Sequence, residues 1–125
     1  MVRLLLLIGA GGFLGSVLRY LAQQSIQKFF DTSYPLGTMF VNIVGCFVIG
    51  IMYSVWERGS LISGEWRLFF TVGLCGGFTT FSSFALDNLN LLKDWGILYL
   101  ALYTGGSVFL GVLAAFLGIH LVRML

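Results

Sequence analysis

The side chains able to do chemistry are few and neutral, and they sit inside apolar stretches: Thr38 and Asn42, then Cys75, Thr79, Thr80, Ser82 and Ser83, then Tyr103, Thr104 and Ser107. Nothing here resembles an enzyme: there is no Ser-His-Asp or Cys-His arrangement, no paired intramembrane carboxylates and no phosphate loop. What remains is weak ion coordination. Amide and hydroxyl donors, the positive rims of phenyl rings and the N-terminal end of a half-helix favour an anion without binding it as tightly as a buried Lys or Arg. Carbonyls freed at the C-terminal end of a preceding half-helix favour a cation instead.

Most of this chemistry converges on Gly73-Leu74-Cys75-Gly76-Gly77-Phe78-Thr79-Thr80-Phe81-Ser82-Ser83-Phe84. Adjacent glycines followed by threonines and serines make a poor helix interior. Gly costs about 1 kcal/mol relative to Ala, and Thr and Ser compete for backbone hydrogen bonds. A helix broken here is tolerated in hydrocarbon only where protein or a water-lined cavity satisfies the freed groups, which points to an ion or substrate site. The alternative is that the glycines only allow close helix packing. Phe81 and Phe84 are three apart and share a helical face, with Ser82 and Ser83 supplying hydroxyls nearby. They either line a path or face lipid and neighbouring side chains. Asp87 either caps the span at the interface or lies in a wet vestibule.

Thr38 and Asn42 lie four apart on one face, with Gly45 and Cys46 one turn further on. A buried Asn is costly in lipid unless bonded, so Asn42 either ties helices together or lines a pore as a donor. Tyr103 and Ser107 form a second polar pair at the same spacing. Arg19 either snorkels to the interface or turns inward to a carbonyl or an anion. His120 reads as an interfacial side chain, since no second His or Cys stands at ligand spacing.

The elements that must position these residues are membrane helices. The chain has 125 residues, 58% hydrophobic and only 10% charged, against a charged share of about 25% in soluble domains. Four apolar spans are expected at 4–22, 36–56, 68–86 and 95–122, with the third broken near its centre, in a single four-helix transmembrane domain over 1–125. Residues 23–35, 57–67 and 88–94 read as the connections. Trp56, Trp66 and Trp95 fall at span ends, as in an interfacial aromatic belt. Gly11 and Gly15 form a small-xxx-small face. Cys46 and Cys75 lie in apolar runs as small packing groups. A bundle this small offers little interior, so an oligomer is expected. A net charge of +2 from scattered basic residues makes no nucleic-acid patch.

Orientation is poorly specified. Four spans put Arg3, Arg58, Arg67 and Arg123 on one side and Arg19, Lys28 and Lys93 on the other. Since the Lys/Arg difference between flanking loops sets topology, so small a bias permits insertion both ways up. An upright and an inverted copy could then pair as an antiparallel dimer.

The motifs Gly12-Phe13-Leu14-Gly15-Ser16-Val17-Leu18-Arg19-Tyr20, Gly37-Thr38-Met39-Phe40-Val41-Asn42-Ile43-Val44-Gly45 and the 73–84 stretch resemble the Fluc (CrcB) fluoride channels over essentially the whole chain. The resemblance implies an all-α, dual-topology antiparallel homodimer in the bacterial cytoplasmic membrane. It would have two fluoride pathways and a central structural sodium ion, and would export cytoplasmic fluoride passively. Motif matching puts Asn42, Phe81 and Phe84 in the pore, with Tyr103 and Ser107 on a polar track; Thr38, on the face of Asn42, and Ser83 complete the expected fluoride pathway. The sodium carbonyls would belong to Gly76 and Thr79. Gly111 departs from the pattern, since some members carry a serine there that continues the track. A small multidrug-type proton-coupled exporter has similar length and span count, but it resembles a mechanism needing a first-span carboxylate, and this span has none. A non-conducting assembly subunit would leave the broken span unexplained.

Overall fold

The computed structural model describes residues 1–59 and 62–125; Ser60 and Leu61, within the connection expected at 57–67, lie outside the described residues. Helix α1 runs Val2–Phe30 and α2 runs Leu36–Glu57. The third span is split into α3, residues 64–78, and α4, Phe81–Asp94; α5 runs Ile97–Met124. All four spans are long and apolar enough to cross a membrane, and the chain is a multi-pass membrane protein.

The helices outrun the expected spans. Most of the polar stretch after residue 22 is still helical, and α1 ends only where Asp31 adopts the left-handed conformation, φ 46°. A short polar side chain tolerates that conformation. Likewise the stretch 88–94 is the last part of α4, and the connection to α5 is little more than Trp95 and Gly96, φ 102°. Because Arg19, Gln23 and Gln27 are four apart on one continuous helix, they share a face.

The break in the third span is real, but its residues are the threonines. Thr79 (φ −85°, ψ 158°) and Thr80 (φ −148°, ψ 115°) are extended, whereas Gly76 is helical at φ −62°, ψ −38°. Two local bonds favour this geometry. Thr79 Oγ1 donates to the Cys75 carbonyl at 3.0 Å, and Thr80 Oγ1 caps α4 by accepting from the Ser83 N–H at 3.1 Å. Upstream, a π-helical segment at Phe69–Cys75 shifts the register of α3 on its way into the break.

The glycines serve the close helix packing named above as the alternative, and they do so alongside the break. A Cβ on Gly77 would stand 2.7 Å from the Gly12 carbonyl oxygen, one on Gly73 2.7 Å from that of Ile8, and one on Gly11 2.6 Å from that of Phe69. Thus α1 and α3 cross backbone to backbone. Between α2 and α5 the same contact recurs, with Gly50 against the Ala115 carbonyl and Gly118 against that of Phe47. Between lipid-embedded helices close van der Waals approach replaces the hydrophobic effect, so these crossings set where α1 and α2 stand relative to the break. Helix α2 packs against α1, α5 and both halves of the third span, and Val41 in its second turn is fully buried.

Overpacking of this kind costs about 1–3 kcal/mol. Gly77→Ala should therefore lower the thermal unfolding midpoint in detergent, while Gly105→Ala, whose Cβ would meet nothing within 4 Å, should not. Equal midpoints for the two variants, followed by near-UV circular dichroism, would refute the crossing contact.

Candidate functional site

A break at membrane depth leaves backbone groups that lipid cannot solvate. Asn42 takes two of them. Its Oδ1 accepts from the Thr80 N–H at 2.7 Å, and its Nδ2 donates to the Thr80 carbonyl at 3.1 Å. Helix α2 brings it there because Gly45, one turn on, leaves room for the Thr79 methyl. Of the two readings open to Asn42, interhelical bonding is thus realised, with one amide hydrogen left over. Arg19 takes a third group. It turns inward, and its Nε donates to the Gly77 carbonyl at 3.0 Å, close to the negative end of the α3 dipole.

The Gly76 and Thr79 carbonyls fare differently. In an unbroken helix they would accept from the N–H groups of Thr80 and Ser83. Here the first goes to Asn42 and the second to Thr80 Oγ1. Both carbonyls therefore lose their helical donors.

Two cavities flank Asn42 along α2. One, of about 340 Å³, is lined by Asn42, Cys46, Cys75, Gly76, Thr79 and Phe81 among others. The other, of about 220 Å³, is bordered by Gln23, Gln27, Thr38, Ser83 and Asp87. Gln23 Nε2 donates to Thr38 Oγ1 at 3.1 Å, and Gln27 holds the start of α2 by accepting from the Gly37 N–H at 3.1 Å. Sequence reasoning placed these glutamines in a loop. The four-residue spacing with Arg19 was the signal that could have found them.

An aromatic row leads from the break to α5. The Phe81 and Phe84 rings are 5.9 Å apart, those of Phe84 and Tyr103 5.2 Å, and those of Tyr103 and Tyr34 5.8 Å. Tyr103 is fully buried and donates its hydroxyl to Asp87 Oδ2 at 3.2 Å. Asp87 therefore borders the smaller cavity with a bonded carboxylate, and it does not merely cap a helix end. Phe81 is the opposite case, 80% exposed on the surface of the single chain. Ser107 lies a turn beyond Tyr103 on α5, its Oγ buried without a partner among the described residues. The structure thus gathers Thr38, Asn42, Ser83, Phe84 and Tyr103 around the break; Phe81 sits at its outer rim and Ser107 borders neither cavity. His120 is exposed and stacks on Phe116 at 5.9 Å. Among the described residues no three His, Cys, Asp or Glu side chains converge as metal ligands.

The family model described as CrcB-like protein, Camphor Resistance (CrcB), matches residues 6–119, every residue of the break and of both cavities included. The chain belongs to the CrcB family. Similar CrcB-family relatives bear the name fluoride-specific ion channel FluC. That of Chlorobium phaeobacteroides (strain BS1) is 43% identical over 120 residues, covering 96% of this chain and 93% of the relative. That of Phocaeicola vulgatus is 50% identical over 115 residues, covering 92% and 94%. That of Flavobacterium psychrophilum is 42% identical over 118 residues, covering 94% and 95%. The likeness runs over nearly the whole of each chain, so in this CrcB-family protein the stretch 73–84 lies well inside the matched region.

Asn42→Ala strands the Thr80 N–H and C=O, each worth about 1–3 kcal/mol when buried without a partner. The variant should unfold at lower temperature, and its Thr80 amide should exchange hydrogen for deuterium faster than in the parent. Unchanged exchange at Thr80 would mean that Asn42 does not hold the break.

Proposed function

We propose that the protein is a fluoride channel, not an enzyme, which lets cytoplasmic fluoride leave a bacterial cell passively across the cytoplasmic membrane. The observation that carries this is the pairing of Asn42 with the broken backbone at Thr80. It sets neutral donors, a helix N-terminus and the Phe81 ring, with Phe84 next to it at 5.9 Å, close to cavities on either side of the break. Fluoride is small and a strong hydrogen-bond acceptor, so hydroxyls and amides can replace its water without a buried cation that would trap it. The free amide hydrogen of Asn42, the hydroxyls of Thr38, Ser83, Tyr103 and Ser107 and the edges of Phe81 and Phe84 would form this path. The fluoride-specific relatives support the choice of ion. Proton-coupled export has no support: α1 carries no carboxylate.

One chain leaves the path open on one side, where Phe81 and Gly76 face outward. A second copy would close it, and the even Lys/Arg distribution makes an inverted copy available, giving an antiparallel homodimer in the bilayer. Its two-fold axis would present the Gly76 and Thr79 carbonyls twice. Freed oxygens of this kind suit a small hard cation, so the site fits a structural sodium ion held by backbone carbonyls alone. That ion would supply positive charge where the bilayer offers no solvent.

Reconstituted protein should release fluoride from liposomes when potassium follows through an ionophore and no proton gradient is present, with chloride retained. Phe81→Ile combined with Phe84→Ile should slow release by about tenfold or more, roughly 1.4 kcal/mol of lost transition-state stabilisation. Wild-type flux in that double variant, eluting as a folded species, would exclude the phenylalanines from the path.

Orientation gives a separate check. Two or three lysines added to one side should force a single topology and abolish release, and mixing oppositely biased variants should restore it. Full activity of either variant alone would refute the antiparallel pair.

A further inference from the structure

Along α5 the residues Tyr103, Ser107 and Gly111 are spaced four apart and form one line on the helix. The first two carry hydroxyls, and Ser107 Oγ is buried with no partner among the described residues. At the third, buried position the line has no side chain at all. The space is filled from α2: Cys46 Sγ lies 3.3 Å from where a Cβ on Gly111 would stand. Cys46 is also one turn beyond Asn42, borders the same cavity as Asn42 and Phe81, and is a free thiol. Its Sγ therefore links the α2 face that carries Asn42 to the α5 line at Gly111.

We propose that the Cys46 thiol is a pathway residue that supplies, from α2, the donor that α5 lacks at Gly111. The inference rests on the channel reading and adds a residue to it. An S–H group is a weak donor with a polarisable sulfur, so it can contact a dehydrated anion without holding it. Simple packing is the competing role, and the two differ in what can replace the thiol.

Fluoride release from liposomes separates them, each variant first checked as a folded species by gel filtration. Cys46→Ala should slow release by about fivefold, the scale of one weak hydrogen bond, and Cys46→Ser should stay within about twofold of the parent. Adding Gly111→Ser to Cys46→Ala returns a hydroxyl to the vacated space and should restore flux. Adding Gly111→Ala returns volume only and should not. Restoration by the alanine equal to that by the serine, or parent-level flux in Cys46→Ala, would overturn the proposal.

A second arm avoids folding altogether. In a Cys75→Ser background already in liposomes, methyl methanethiosulfonate caps the Cys46 S–H. Release should fall by about fivefold relative to the untreated background, with no response once Cys46→Ser is added. Undiminished release with Cys46 modified by mass spectrometry, or a Cys46 that stays unmodified, would count against a pathway thiol. A parent protein that releases no fluoride would instead remove the channel reading itself.

Discussion

Hydrocarbon cannot hydrogen-bond a peptide group, and this protein places two extended residues, Thr79 and Thr80, inside a membrane span. Much of the architecture answers that constraint. Asn42 acts as a one-residue strand partner to Thr80, and Arg19 reaches a carbonyl near the end of the upstream half-helix. Neither could arrive without the glycine crossings. With any larger residue at Gly77 or Gly11, α1 would stand off from α3 and the Arg19 side chain would have further to reach. The small residues are thus not the flexible part of the break but the reason its partners are close enough to stabilise it.

Once those bonds are made, what is left over defines the chemistry. At the break the Gly76 and Thr79 carbonyls have lost their helical donors, because the Thr80 and Ser83 N–H groups are taken by side chains. Tyr103 gives its hydroxyl to Asp87, and Thr38 accepts from Gln23, so the polar side chains beside the break are tied into a network. In the proposed channel, exchange of partners within such a network would let an ion enter and leave, which conduction needs more than tight binding. The exposure of Phe81 belongs to the same pattern. A ring beside a polar break, 80% exposed in one chain, completes a wall only when another surface covers it.

Much of this was legible in the sequence, for physical reasons. Four apolar runs give four spans whatever the fold, and Gly-Gly followed by Thr-Thr marks a weak helix by intrinsic propensity. Asn42 stood out because an amide in lipid must be bonded. The rest depended on partners that spacing cannot name. That Thr79 and Thr80 break while Gly76 stays helical follows from an amide on another helix, and that Gly77 and Gly73 serve packing follows from α1 lying across them. The length of α1 was misjudged because Gln23 and Gln27 look like loop residues until their bonds to the start of α2 are seen. Likewise nothing local says that Tyr103 would turn to Asp87, sixteen residues away in sequence.

The most direct measurement of the central claim, that the break becomes an ion pathway only between two copies, is an electron-density map of the protein in lipid nanodiscs with fluoride present. The expected map shows one upright and one inverted chain, with Phe81 and Gly76 covered by the partner and density for ions beside Asn42. A single chain, or parallel chains with Phe81 facing lipid, would contradict it.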